Sequence, residues 1–108
     1  MERLSIRRKR VKQLLNELGH EIRLNNEKNG FIWDPAKEVP TLLALIHSEV
    51  SEALEAYRDE KTLDEELADV IIRVLDLSDR MELDIDKAVR EKIEKNKLRG
   101  FKHGRKRF

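Results

Sequence analysis

The chain has 108 residues, of which 42% are charged and 39% hydrophobic, with four Gly, two Pro, no Cys and only 5% aromatics. That length predicts a single domain over 1–108 with a modest core, and the shortage of turn formers and aromatics excludes a sandwich or barrel in favour of an all-α fold. Its 23 basic and 22 acidic residues nearly cancel, which excludes a global field for nucleic acid, and the lack of cysteine excludes a disulfide framework and thiolate chemistry. The N-terminus has no apolar run of the signal-peptide kind and no stretch approaches membrane-spanning length, so a soluble, cytoplasmic protein without membrane contact is expected.

Four helices follow from periodicity, and a bundle of such small helices is expected to pair its apolar faces with further copies in a homo-oligomer. In the first, Leu4, Val11, Leu14, Leu15, Leu18 and Ile22 recur at helical spacing. Asn25, Asn26, Asn29 and Gly30 weaken the pattern, and Phe31 to Pro40 reads as a loop containing Trp33 and two prolines. The second helix is expected from about Thr41, just after Pro40, to about Glu60. The third opens on a capping box, Thr62-Leu63-Asp64-Glu65, in which Thr62 would cap the Glu65 amide and Glu65 would reach back; it runs to about Arg80. The fourth begins near Asp84 or Asp86 and ends near Arg99, with Gly100 as its stop and 100–108 as a basic tail.

On a helical wheel the second helix carries a broad apolar arc of Leu42, Leu45, Ile46, Val50, Ala53, Leu54, Ala56 and Tyr57. Glu49 falls inside that arc and Glu52 on its edge. A carboxylate on an apolar stripe costs several kcal/mol if it is buried without a partner. On the third helix Leu63, Leu67, Val70, Ile71, Val74 and Leu77 form the apolar face, with Glu66 and Asp69 on one shoulder, again three residues apart. A short connection through Lys61 and Thr62 makes the two helices an antiparallel hairpin, so two acidic pairs can face each other. Acidic pairs three apart usually belong to solvated faces. Two such pairs on the inner edges of consecutive helices instead point to a hard divalent cation, Mg²⁺ or Mn²⁺ rather than zinc, because no Cys or clustered His is offered.

The fourth helix adds the opposite charge. Ile85, Val89 and Ile93 mark its apolar face, and Lys92, Asn96 and Arg99 continue it. Lys and Arg bind phosphate, or else snorkel at a helix end. Beside a tetra-carboxylate site they point to a metal-bridged polyphosphate. Glu17 and His20 have the ExxH spacing of di-iron bundles, but no second ExxH exists, so they read as surface residues. His47 reads as a boundary or interface residue. Trp33, with Phe31 nearby, is a base-stacking candidate or a cap on the core.

Ser48-Glu49-Val50-Ser51-Glu52-Ala53-Leu54-Glu55-Ala56 followed by Glu65-Glu66-Leu67-Ala68-Asp69-Val70 resembles the signature of the MazG-type, all-α nucleoside triphosphate pyrophosphatases, and the resemblance covers nearly the whole chain. The signature is EExxE, a spacer, then ExxD. By position the resemblance implies Glu49, Glu52, Glu66 and Asp69 as the Mg²⁺ ligands. Lys92 to Arg99 is similar to the family's phosphate- and substrate-contacting stretch, Phe31 to Asp34 to a loop with an aromatic near the base, and Lys102-His103-Gly104-Arg105 to a tail of some members. Two departures stand out: Ser48 replaces the first Glu of EExxE, and the Gly-Phe-Ile-Trp-Asp loop is one residue longer.

The resemblance implies a MazG-like helical bundle in a homodimer or dimer-of-dimers tetramer, with sites near subunit interfaces. It also implies Mg²⁺-dependent hydrolysis of a (d)NTP to a (d)NMP and pyrophosphate, a hydrolase of nucleotide metabolism acting in pool housecleaning. Glu49 or Glu52 would serve as the base for water, with Lys92, Asn96, Arg99 and Trp33 on the substrate. Two other readings fit the composition: a non-catalytic helical oligomerisation module with a structural metal, and, last, a nucleic-acid-binding module using both basic ends.

Overall fold

The structure, a computed structural model, describes residues 13–31 and 34–105. Among them are four α-helices and no strand: α1 (Leu14–Lys28), α2 (Pro35–Arg58), α3 (Leu63–Arg80) and α4 (Ile85–Arg105). The helix α3 lies between α1 and α2 and packs along both, while α4 meets α1. No helix among the described residues is long and apolar enough to cross a membrane.

Several boundaries differ from the sequence expectation. The helix α1 runs on through Asn25 and Asn26 to Lys28, and Gly30 (φ 93°) is its stop. The helix α2 starts at Pro35, six residues before Thr41, and contains Pro40. Proline suits the first helical position, where an N–H would lack a partner anyway, and the Asp34 carbonyl accepts from the Lys37 and Glu38 amides (3.0 and 2.8 Å) to close the first turn. Pro40 then forfeits one ladder bond in the second turn without ending the helix. The capping box does not form: Thr62 makes no side-chain cap bond, and the Glu65 amide donates instead to Asp64 Oδ1 (3.0 Å). Finally, α4 passes through Gly100, the expected stop, to Arg105.

Three helices end in the same motif, in which the residue three past the last helical one donates back over the last turn. The bonds are Phe31 N to Asn26 O (3.0 Å), Lys61 N to Ala56 O (2.8 Å) and Leu83 N to Ser78 O (2.9 Å). The left-handed residue this requires is Gly30 in the first, but Glu60 (φ 57°) and Glu82 (φ 56°) in the others, so a glycine search finds only one of the three.

Small residues set the close contacts. Gly19 is the buried residue of α1, and a Cβ there would lie 2.7 Å from the Leu75 carbonyl oxygen on α3. Ala53 and Ala56 of α2 and Leu75, Asp76 and Ser78 of α3 are the other buried residues among those described. The broad apolar arc of α2 is therefore split: Ala53 and Ala56 are buried and Leu42, Leu45 and Ile46 half-buried, whereas Val50, Leu54 and Tyr57 are exposed, as are Leu67 and Ile71 on α3.

Where α4 begins, it and α1 cap each other. Asp86 accepts from the first-turn amides of Leu15 (3.2 Å) and Asn16 (2.8 Å), satisfying N–H groups that α1 cannot bond internally. In return Asn16 Oδ1 accepts from the Ile85 amide (3.0 Å), and its Nδ2 donates to Asp84 (2.9 Å), which itself caps the Lys87 amide (3.1 Å). These bonds hold the Asp84 carboxyl below the usual carboxylate range, the one to Asn16 most and the Lys87 amide next.

Candidate functional site

The hairpin of α2 and α3 brings three of the four predicted ligands together. One carboxylate oxygen from each of Glu49, Glu52 and Glu66 lies within 4.8 Å of the others. Glu49 is half-buried, its side chain 13% exposed, as its place inside the apolar arc requires, while Glu52 stands in solvent and Glu66 between. The crowding has an electrostatic signature. The Glu52 carboxyl is held above its ordinary range, chiefly by its hydrogen bond with Glu49 and by the Glu49 charge, with smaller contributions from desolvation, Glu66 and Asp69. Asp69 is thus felt at the centre without joining the tight trio. It lines the adjoining cleft together with Glu49.

That cleft has a volume of about 400 Å³, within the range of small-molecule sites. At one end stand Glu49, Asp69 and Arg73; Leu42, Leu45 and Ile72 form apolar walls; Asn26, Phe31, Asp76 and Arg80 close the other end. The far end is a fixed polar network. Arg80 Nε donates to Asp76 Oδ2 (2.9 Å), with both side chains nearly enclosed, and Asn26 Nδ2 donates to Asp76 Oδ1 (3.3 Å). Because a carboxylate only accepts, the Asn26 amide must face Asp76 with its nitrogen. At the near end Arg73 Nε donates to Glu49 Oε1 (3.0 Å).

The sequence-predicted cations are elsewhere. Lys92, Asn96 and Arg99 are all exposed on α4, and none lines the cleft. Trp33 lies outside the described residues, whereas Phe31, its neighbour, stands exposed at the rim of the cleft. His20 is exposed as expected, but it is not idle: its Nδ1 lies 3.3 Å from Asp79, which also binds Arg23 Nε.

Sequence reasoning missed Asn26, Arg73, Asp76 and Arg80. A signal existed for three of them. Glu66, Asp69, Arg73, Asp76 and Arg80 fall at alternating spacings of three and four, one polar stripe down the inner side of α3.

A family model described as the MazG-like family matches residues 31–107. The chain belongs to the MazG-like family. No curated protein and no solved structure matches it. The matched span includes both acidic pairs, the cleft apart from Asn26, and all of α4. MazG-like membership relates the chain to nucleotide pyrophosphohydrolases.

The donor set suits a hard cation. All the converging atoms are carboxylate oxygens, and oxygens on one octahedral Mg²⁺ stand about 3 to 4.2 Å apart, so the trio needs to close only slightly. The raised Glu52 carboxyl reflects first its hydrogen bond with Glu49 and then the crowding of negative charge around it.

Proposed function

We propose that this MazG-like protein is a Mg²⁺-dependent (d)NTP pyrophosphohydrolase, Mn²⁺ substituting, that releases pyrophosphate and a (d)NMP in nucleotide-pool housecleaning. The observation that carries the reading is the convergence of Glu49, Glu52 and Glu66 from two helices at the mouth of a nucleoside-sized cleft. Glu49, Glu52, Glu66 and Asp69 would hold the cation. When bound, it supplies neutralisation of phosphoryl charge and acidifies water. Of the two candidate bases, Glu52 is favoured over Glu49. It stands open to solvent, where water can reach it, whereas the Glu49 side chain is largely enclosed. The cleft behind would take the nucleoside, Phe31 at its rim in the position expected of Trp33.

A phosphate clamp of Lys92, Asn96 and Arg99 then has to come from a second copy, in a homodimer or dimer of dimers. Two apolar surfaces support such assembly: Val50, Leu54, Tyr57, Leu67 and Ile71 on the hairpin, and Val89, Ile93 and Leu98 on α4, the last 89% exposed.

A panel of canonical and modified NTPs with Mg²⁺, scored for pyrophosphate against phosphate, tests the reading. Pyrophosphate release is expected. Glu49→Gln and Asp69→Asn should each lower it by roughly 10²–10⁴-fold with helicity intact. Full activity in either variant would remove the site assignment. Metal-dependent melting without turnover of any nucleotide would instead support an interaction module with a structural ion.

A further inference from the structure

Arg73 is a cation inside a centre built of acids. It stands one turn beyond Asp69 on α3 and three residues before Asp76, on the stripe that lines the cleft. Its bond to Glu49 is unequal in two respects. The acid is the more enclosed partner, 13% exposed against 39% for the Arg73 side chain, so Glu49 is fixed by packing while Arg73 reaches in from the open side. The bond also uses Nε alone. Among the described residues the terminal nitrogens of Arg73 have no other hydrogen-bond partner, so a planar fork suited to phosphate oxygens faces an open cleft. The other guanidinium of the cleft, Arg80, is nearly enclosed and held by Asp76.

We propose that Arg73 is the resident counter-cation of the carboxylate centre and the phosphate-binding arginine supplied by the same chain. In the metal-free protein it neutralises Glu49. A divalent cation would compete for the same carboxylate, so Arg73 would give up Glu49 on loading, and its fork would then be free for the oxygens of the triphosphate that accompanies the metal. Arg73 therefore weakens metal binding when nucleotide is absent and strengthens nucleotide binding when metal is present. A merely structural salt bridge would not strengthen nucleotide binding. This inference rests on the metal-site reading above.

The test titrates full-length protein with Mn²⁺ alone, followed by electron paramagnetic resonance, for wild type, Arg73→Gln, Arg73→Met (which keeps the stem) and the charge control Arg58→Gln. It then titrates a non-hydrolysable α,β-methylene nucleoside triphosphate at saturating Mn²⁺, with circular dichroism checking each fold. Both Arg73 variants should bind Mn²⁺ alone about three- to tenfold more tightly than wild type, the size expected of one unit charge removed from a solvated cleft. They should bind the triphosphate about tenfold or more weakly, as for loss of a charge-assisted pair. Arg58→Gln should match wild type in both. Unchanged Mn²⁺ affinity in a folded Arg73 variant, or unchanged triphosphate affinity, overturns the proposal while leaving the metal centre standing. If wild type itself binds no Mn²⁺, the metal-site reading falls and takes this inference with it.

Discussion

The helix α1 holds two neighbours in different ways. It meets α3 along its length, backbone to backbone at Gly19, where no side chain intervenes before the Leu75 carbonyl, and then through His20 and Arg23 to Asp79 and Asn26 to Asp76. It meets α4 through polar groups at the helix ends, Asn16 capping one and Asp86 the other. The consequences show in burial. The last turns of α3 hold Leu75, Asp76 and Ser78, all buried, whereas α4 from Lys87 to Arg99 is exposed throughout. A helix seated by close packing can hold carboxylates in a fixed relation, and α3 carries Glu66, Asp69 and Arg73. A helix held only at its first turn can direct its cations towards something beyond its own chain, and α4 carries Lys92, Asn96 and Arg99. Three of the four acids of the candidate site thus meet within one chain, and the cations of α4 do not join them.

Breaking the close-packed seat should have the larger effect. Replacing Gly by Ala inside a helix ordinarily stabilises it by about 1 kcal/mol. Gly19→Ala should instead destabilise, by about 1–3 kcal/mol, because the new methyl meets a backbone oxygen that cannot move without shifting α3. Urea unfolding measures this directly, and a neutral or stabilising result would mean that the α1–α3 approach is looser than described.

Breaking the polar clamp should cost less. Asn16→Ala and Asp86→Ala each remove bonds to amides at a helix start, worth about 0.5–2 kcal/mol. Because the two side chains form one network, the double variant should cost less than the sum of the singles. Amide exchange in the first turn of α4 should rise in both, while exchange in α3 stays as it was. Equal loosening of α3 would show that the clamp supports the whole bundle rather than α4 alone.

Legibility in the sequence follows the same division. The hairpin and its acids were readable because both depend on short-range spacing: Glu49 interrupts an apolar arc, and Glu66 and Asp69 repeat its pattern in the first two turns after a short connection. Helix ends were read less well. Pro40 and Gly100 are weak stops against the helical preference of the residues around them, and Glu60 and Glu82 take a conformation usually assigned to glycine. The clamp could not be read at all, since Asn16 and Asp86 are 70 residues apart and each resembles an ordinary surface polar residue. Arg73 was passed over for a related reason. A lone Arg among acids looks like solvated surface until α2 places Glu49 beside it.

The smallest effect concerns Glu52 and the charge balance of the hairpin. Its folded carboxyl takes up a proton more readily than the ordinary value of 4.5, above all because of Glu49. In chelator the native state therefore keeps a proton that the unfolded chain has already released. The native state binds more protons over that window, so stability falls as pH rises from the ordinary carboxylate value through the raised one, and is level above it. The slope should be shallow, because Glu52 is fully exposed and salt screens it. Melting temperatures at low salt from about pH 4 to 7 should show the decline, and Glu52→Gln should flatten it. Added Mg²⁺ should reverse its sign, since a cation bound among the carboxylates favours their charged forms and so makes higher pH the more stabilising side. Asp84, held below the ordinary range by Asn16 and the Lys87 amide, contributes the opposite slope at the acid end. The difference between wild type and Glu52→Gln is therefore the decisive quantity, and identical profiles for the two would mean that Glu52 is not held above its ordinary range by Glu49.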